Sequence, residues 1–464
     1  MSAPPRIVVV GAGPAGVRAA QALAEAGVRP VVIDEGLRDG GQVYRRQPEG
    51  FGRGYAKLYG SEADKAAALH RDFDALRDRI DYRPRTLAWN VSAGILHAVG
   101  DGQAANLPFD ALLVCSGATD RLMPVPGWNR AGCYSLGAAQ IALKSQACAI
   151  GSQVVFLGSG PLLYLVASQY VAAGARVAAV LDTAPRFPSP AALRGLLARP
   201  RLALRGLGLI RGLRRAGVAL RKAVVPLRIE GDADNGVTAV VVRGADGEER
   251  FACDAVGLGW HLRSEAQLAD LARCEFAFDA PSRQWLPAID EDGRSSVRGV
   301  YLAGDGARIL GADGAEAAGR LAALAALADL RHPGAEARHA AQAPALRRTL
   351  RTMDRFRTGL ARAFPWPHTH AAGLPDDAVV CRCEVITAGE LRDCVNGKDA
   401  HEVNRAKAFS RVGMGRCQGR YCGHAAAEII AAAGRTPVAA VGRIRTQAPV
   451  KPLQIDVLQA EPDA

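Results

Sequence analysis

Residues 6–36 read RIVVVGAGPAGVRAAQALAEAGVRPVVIDEG. A short apolar strand enters GAGPAG, an alanine-rich helix follows, and a second strand ends in Asp34. That order admits few folds. Gly11 makes the tight turn, Gly13 lets the backbone meet a pyrophosphate, and Gly16 lets the helix pack on the strand. Pro14 and Ala15 complete the turn. Asp34 falls where a carboxylate accepts hydrogen bonds from ribose hydroxyls, with Glu35 beside it as the alternative. Strand, turn, helix, strand and acid together predict a dinucleotide site.

Two later stretches bear on which dinucleotide. ALLVCSGATD at 111–120 is an apolar strand ending in Ser116-Gly117-Ala118, and GVYLAGDGARILGADGAEAAGRLAALAAL is a strand, then Gly304-Asp305, then a long helix. An Asp at a strand's end can hold a ribityl hydroxyl, and the helix after it would aim its positive N-terminus at a flavin's pyrimidine oxygen. These stretches resemble the two-dinucleotide flavoprotein fold of the glutathione-reductase type, over roughly residues 5–330. The resemblance implies an α/β fold with FAD held by Gly11, Gly13, Pro14, Ala15, Gly16, Asp34 or Glu35, Gly117, Gly304 and Asp305. GGQVYRR at 40–46 resembles the loop lying along the flavin, which adds Gly41 and Gln42.

Residues 153–182 repeat the pattern with Gly158, Gly160 and Asp182. In that family this is the NAD(P)H domain, inserted within the FAD domain. Leu163 replaces the third glycine, and its side chain would push the helix from the turn. Gly158 and Gly160 still permit an anion, so NAD or ATP stays open as a second nucleotide, with NADPH disfavoured by Asp182. The disulfide-reductase cysteine pair is missing, and no Ser-His-Asp or zinc-protease spacing is present, so no catalytic residue is assigned.

Four of the ten cysteines form two close pairs, Cys381/Cys383 in VVCRCE and Cys417/Cys422 in GMGRCQGRYCGH. On an extended segment both thiols of C-x-C face one side. C-x-C is tight for a zinc knuckle, whereas four thiolates suit a [2Fe–2S] centre; zinc and plain thiols stay open. Glycines 413, 415, 419 and 423 would let backbone N–H groups reach sulfur, and Arg382, Arg416 and Arg420 would offset cluster charge. The spacing resembles the bacterioferritin-associated-ferredoxin-like (BFD-like) [2Fe–2S] module. Cys394 lies outside it, on an expected helix.

GSGPLL, CRCE and GMGRCQGRYC together resemble the alpha (A or B) subunits of heteromeric amine-oxidising flavoenzymes. These include opine oxidases, D-hydroxyproline dehydrogenase, hydrogen cyanide synthase and L-proline dehydrogenase complexes. GGQVYRRQPEGF looks nearest the D-hydroxyproline dehydrogenase and opine oxidase branch. The resemblance implies an electron-relay subunit beside a beta subunit of D-amino-acid-oxidase type carrying its own FAD, with a small [2Fe–2S] gamma subunit as a further partner. The rival readings are a stand-alone NAD(P)H-dependent reductase, a scaffold, and part of a hydrogen cyanide synthase.

The 464 residues divide as an FAD-binding domain at 1–120 and 286–332, an NAD(P)-binding-like domain at 121–285, a helical linker at 333–378, the BFD-like domain at 379–436 and a tail at 437–464. His368 and His370 read as polar linker. The net charge of +12 is scattered arginine with few aromatics, which excludes a nucleic-acid platform. Basic amphipathic helices are expected within 194–222 and 336–364, as docking or membrane-surface faces. No membrane span or signal peptide is found, so the expected place is the cytoplasm, with peripheral contact at the inner membrane through the complex as the other placement.

Overall fold

The computed structural model describes residues 4–453. Two five-stranded parallel sheets dominate it. In the first, the strands run Val300–Leu302, Ala111–Val114, Ile7–Val10, Val31–Ile33, Asp81–Arg83. In the second they run Ala219–Lys222, Arg176–Asp182, Gln153–Ser159, Ala255–Trp260, Cys133–Ser135. Parallel strands need both faces covered, and the inner strands are accordingly largely apolar, IVVV and ALLV in the first sheet, while the edges Asp81–Arg83, Ala219–Lys222 and Cys133–Ser135 are more polar. Each sheet carries an antiparallel three-stranded companion, from Thr86 to Pro108 and from Val225 to Ala252.

The helix Pro14–Glu25 crosses the helix Gly311–Asp329 with almost nothing between them. A side chain at Gly319 would begin 1.9 Å from the Ala15 carbonyl oxygen, and one at Gly304 would begin 2.8 Å from Ala15 Cβ. Small residues at this crossing bring the 304–306 turn onto the first glycine turn.

The long helix Ala335–Ala363 includes Pro344 and is fastened to the first unit through Asp292. The stretch 364–378, expected as a linker, is instead packed. Trp366, Ala371 and Leu374 are buried, and His368–Ala372 forms a short helix. Apolar side chains spaced through that proline-rich segment reward its folding. The basic stretch 194–222 gives the end of one helix, Pro190–Leu196, a second, Pro200–Arg215, and then a strand, Ala219–Lys222, at the edge of the second sheet.

The cysteine module does not stand apart. Trp128, Leu258 and Trp260 of the second unit share one core with Val380, Cys381, Cys422 and Ile429. The Trp128 indole N–H donates to the Val379 carbonyl at 2.6 Å. The expected tail at 437–464 is held in place as far as it is described. Arg443 pairs with Asp270, the Val450 N–H reaches the Trp89 carbonyl at 3.1 Å, and Lys451 meets Glu35. Residues 454–464 of that expectation lie outside the described residues. Among the described residues no helix is long and apolar enough to cross a membrane.

Candidate functional site

The first glycine turn is dictated by close backbone approaches. Gly11 has φ +102°, and a side chain there would begin 2.4 Å from the Cys115 carbonyl oxygen. One at Gly16 would begin 1.7 Å from the Gly11 carbonyl oxygen, so any larger residue parts helix from strand. Gly13 faces Gly41, and the Gly40 N–H donates to the Ala12 carbonyl at 2.9 Å. The loop at 40–46 is thereby laid on the turn. Gln42 is exposed and accepts a hydrogen bond from Arg45 at 2.6 Å.

Asp34 accepts the N–H groups of Ala12 and Gly36, each at 2.6 Å, while burial raises its pKa. Glu35 is exposed and taken by Lys451. One oxygen of Asp305 accepts the N–H groups of Leu310 at 2.8 Å and Gly311 at 3.0 Å, capping the start of the helix Gly311–Asp329. Burial pushes this carboxyl up to about 6. Its second oxygen takes no hydrogen bond from the described residues, and nothing lies within 4 Å of a side-chain position on Gly117. A carboxylate with one oxygen committed, beside an open glycine turn, fits a hydroxyl-bearing chain such as the ribityl of FAD.

The second turn is built differently. Glycine is needed at 158 because a side chain would begin 1.8 Å from the Gly259 carbonyl of the adjoining strand. Gly160 lies under the His261 ring, whose Nδ1 is 3.1 Å from the position of a Gly160 Cβ. His261 Nε2 is fixed at 2.7 Å from the Phe364 carbonyl, and burial takes its pKa down to about 4. Leu163 is wholly buried in the core beneath the helix, which begins at Pro161. Asp182 is also wholly buried, accepting the Tyr164 hydroxyl at 2.6 Å and the Ala184 N–H at 2.9 Å. The residue expected to discriminate between ribose forms is spent inside the protein.

Cys381 ends the strand Val379–Cys381, Cys383 follows in a turn, Cys417 lies in a second turn, and Cys422 caps the helix Gly423–Ala433. The four thiols lie together. Cys383 meets Cys417, Cys417 meets Cys422, and Cys422 meets Cys381. Among the described residues no three His, Cys, Asp or Glu side chains gather round one point as a single-ion cage requires. Four neighbouring thiolates at C-x-C and C-x4-C spacing suit the ligand set of a [2Fe–2S] centre. Cys381 and Cys417 share the single S–H of Cys422, which takes Cys381 down to about 6 and Cys417 down to about 5. That sharing raises Cys422 well above the usual thiol range, and Cys383 is raised chiefly by burial. The N–H groups of Gly413 and Gly419 point at Cys381 and Cys417. A side chain at Gly415 would begin 2.1 Å from Cys383 Cβ, so glycine there makes room for a ligand. Cys394 is buried away from these four thiols, among Val395, Val403 and Ile430.

Sequence reasoning missed the residues that join the two sites. Glu265 lies between them. Its N–H donates to the Gly117 carbonyl at 3.0 Å, and its carbonyl accepts the Ser116 hydroxyl. Its carboxylate grips Arg420 through two bonds of 2.9 and 3.1 Å. Arg420 also donates to the Cys417 carbonyl at 3.3 Å, and Gln267 donates to the Gln418 carbonyl at 3.1 Å. Arg420 was expected to offset cluster charge; it shares the Glu265 carboxylate with Arg263, which pairs with the same group at 3.3 Å, so two guanidiniums stand against one carboxylate beside Cys417. Ile444 was missed too. Its side chain fills the space that Gly413 and Gly419 leave open. No motif marks these residues, because each is defined by a partner more than twenty positions away.

Residues 5–326 match the family model of pyridine nucleotide-disulphide oxidoreductases, and residues 379–432 match the BFD-like [2Fe-2S] binding domain. The opine oxidase A subunit from Rhizobium meliloti is 36% identical, the match covering 98% of this chain and 87% of the relative. Hydrogen cyanide synthase subunit HcnB of Pseudomonas protegens is 32% identical, covering 96% of each chain. The crystal structure of L-proline dehydrogenase from P. horikoshii matches the fold with a TM-score of 0.70 at 17% identity, over 98% of this chain and 79% of that one. The two domains make this chain an FAD and [2Fe–2S] oxidoreductase subunit. It belongs to the pyridine nucleotide-disulphide oxidoreductase family, with a BFD-like [2Fe–2S] binding domain following the flavoprotein fold.

Proposed function

We propose that this chain is the electron-relay subunit of a heteromeric enzyme that oxidises an amino acid or opine, of the D-hydroxyproline dehydrogenase or opine oxidase kind. FAD takes up electrons in pairs and a [2Fe–2S] centre carries them singly, so a chain holding both converts paired electrons to single ones. Gly11, Gly13, Pro14, Ala15, Gly16, Asp34, Gly41, Gln42, Gly117, Gly304 and Asp305 form the FAD site in this reading. Cys381, Cys383, Cys417 and Cys422 hold the cluster, and the domain limits are those read from the sequence, with 364–378 and 437–453 packed against them instead of serving as linker and tail.

The observation that carries the reading is the Glu265–Arg420 pair. It fixes the Cys417 loop to the Ser116–Gly117 turn, so the candidate cluster site and flavin site are joined by a few bonded groups. The second glycine turn, covered by His261, supports electron entry from a partner rather than from NAD(P)H. That partner is a beta subunit with its own FAD, and a small [2Fe–2S] gamma subunit completes the complex.

The test compares this chain alone with the chain plus its co-purifying subunits, using D-hydroxyproline, opines, proline and glycine with a dye acceptor. The relay reading expects turnover only in the complex. Equal turnover by the isolated chain would overturn it.

A further inference from the structure

From Thr183 to Ile229 the sequence carries ten arginines, one lysine and no acid. Nearly half of this stretch is two successive helices, Pro190–Leu196 and Pro200–Arg215, and of the longer one only Leu213 is buried. Phe187 is 79% exposed, Leu197 71% and Leu204 65%, with Leu193 and Leu207 also exposed. Leu193 and Leu197, the latter just past the end of the helix, lie one turn apart, and Leu204 and Leu207 share a face of theirs. Around them Arg186, Arg194, Arg201, Arg211, Arg214 and Arg215 are exposed and have no carboxylate partner among the described residues.

Three ties hold this surface in place. Arg199 pairs with Asp313 at 2.7 Å, in the first turn of the helix that Asp305 caps. Arg205 pairs with Glu62, which also accepts the Tyr44 hydroxyl from the loop at 40–46. The backbones of Gly195 and Gly359 are in contact, joining the shorter helix to the long helix Ala335–Ala363. The face is therefore braced on elements that frame the candidate flavin site.

We propose that this face docks the subunit that delivers electrons, and that the partner meets it with carboxylates around an apolar centre. The inference rests on the relay reading and names the surface that reading requires. Arginine and phenylalanine are enriched at protein–protein interfaces, where lysine is depleted, and the exposed leucines beside them supply apolar area to bury. Two copies of the face would oppose like charges, so a second copy of this chain is not the occupant. A bilayer accepts such residues on any amphipathic helix. Here the helices are braced against the flavin frame, which favours a partner of fixed shape.

The complex is isolated from its source cells through a tag on this chain, after photo-crosslinking from benzoylphenylalanine placed at Leu204 or, as control, at Phe409. The Leu204 probe is expected to join the chain to one flavin-bearing polypeptide, and the Phe409 probe is not. Combining R201E with R211E should lower recovery of that polypeptide at least tenfold, with flavin and iron per chain unchanged. Unchanged recovery overturns the proposal. So does a Leu204 crosslink to lipid alone with flotation on phosphatidylglycerol but not phosphatidylcholine vesicles, which assigns the face to a membrane. Cluster reduction by substrate at the parent rate in the charge-reversed variant overturns the docking face and leaves the relay standing. A complex that forms through this face but never reduces the cluster overturns the relay, and with it the partner's role.

Discussion

Gly16 and Leu163 occupy the same step of two parallel turns, and the difference decides what each turn does. At Gly16 no side chain fits, whereas Leu163 is absorbed into the core beneath its helix. The second turn is then covered from above by His261, held by the Phe364 carbonyl. NADPH mixed with the purified chain should leave the flavin absorbance unchanged, and His261→Ala is the variant that should raise nucleotide affinity by uncovering Gly160. Rapid bleaching of the flavin in the parent protein would count against this account. The cysteines make a second residue-scale case. Replacing Cys381, Cys383, Cys417 or Cys422 by Ser removes one of four ligands, so iron and acid-labile sulfide should fall sharply in each variant. Cys394→Ser should retain both, and four ligand variants with full iron would refute the assignment.

At the scale of elements, the sequence was readable where spacing is local. The two βαβ turns, the Gly304–Asp305 turn and the long basic helix follow from short-range pattern, because periodicity and glycine placement report on neighbours in the chain; the C-x-C segment, read as extended, instead turns after Cys381 and leaves Cys383 in the turn. The packed segment around Trp366 was not readable, since proline there resembles a breaker until the core that receives Trp366 is known. Asp292 shows the same limit. It is buried and accepts Arg347 at 2.7 Å, Arg294 at 2.8 Å and His339 at 3.0 Å, pinning the long helix to the first unit. Burial alone would raise its pKa, but the hydrogen bonds from Arg347 and Arg294 outweigh that and hold it below the usual range. Asp292→Asn should destabilise the protein by about 2–3 kcal/mol, less than a fully buried pair because both arginines are 30% exposed. A depressed carboxylate contributes its stability above its unfolded pKa, about 3.9, and loses it as pH falls through the folded value. The gap in thermal unfolding midpoint between parent and variant should therefore be full at neutral pH and shrink below about pH 4. A gap that instead widened in acid would contradict the assignment.

For the whole molecule, the segment 437–453 is the clearest departure from expectation, because a presumed tail turns out to connect the units. It leaves the cysteine module at Val441, fills the space over Gly413 and Gly419 with Ile444, and pairs Arg443 with Asp270. It then passes between the modules, where the Pro449 and Val450 carbonyls accept hydrogen bonds from Gln418 and Arg420. It finishes on the first unit, with the Val450 N–H on Trp89 and Lys451 on Glu35, next to Asp34. One strand of chain thus touches the cluster loop, the unit that carries Glu265 and the edge of the candidate flavin site. Ending the chain after Gly442 removes all these contacts while keeping every cysteine and every residue of the first glycine turn. The Glu265–Arg420 pair survives, but Arg420 loses its Val450 acceptor and the glycine loop loses its Ile444 cover. The truncated chain should retain FAD, lose iron faster to a chelator than the parent, and expose the 413–423 loop to protease. Iron retention and protease resistance equal to the parent would show that the segment only lies across the modules and does not hold them together.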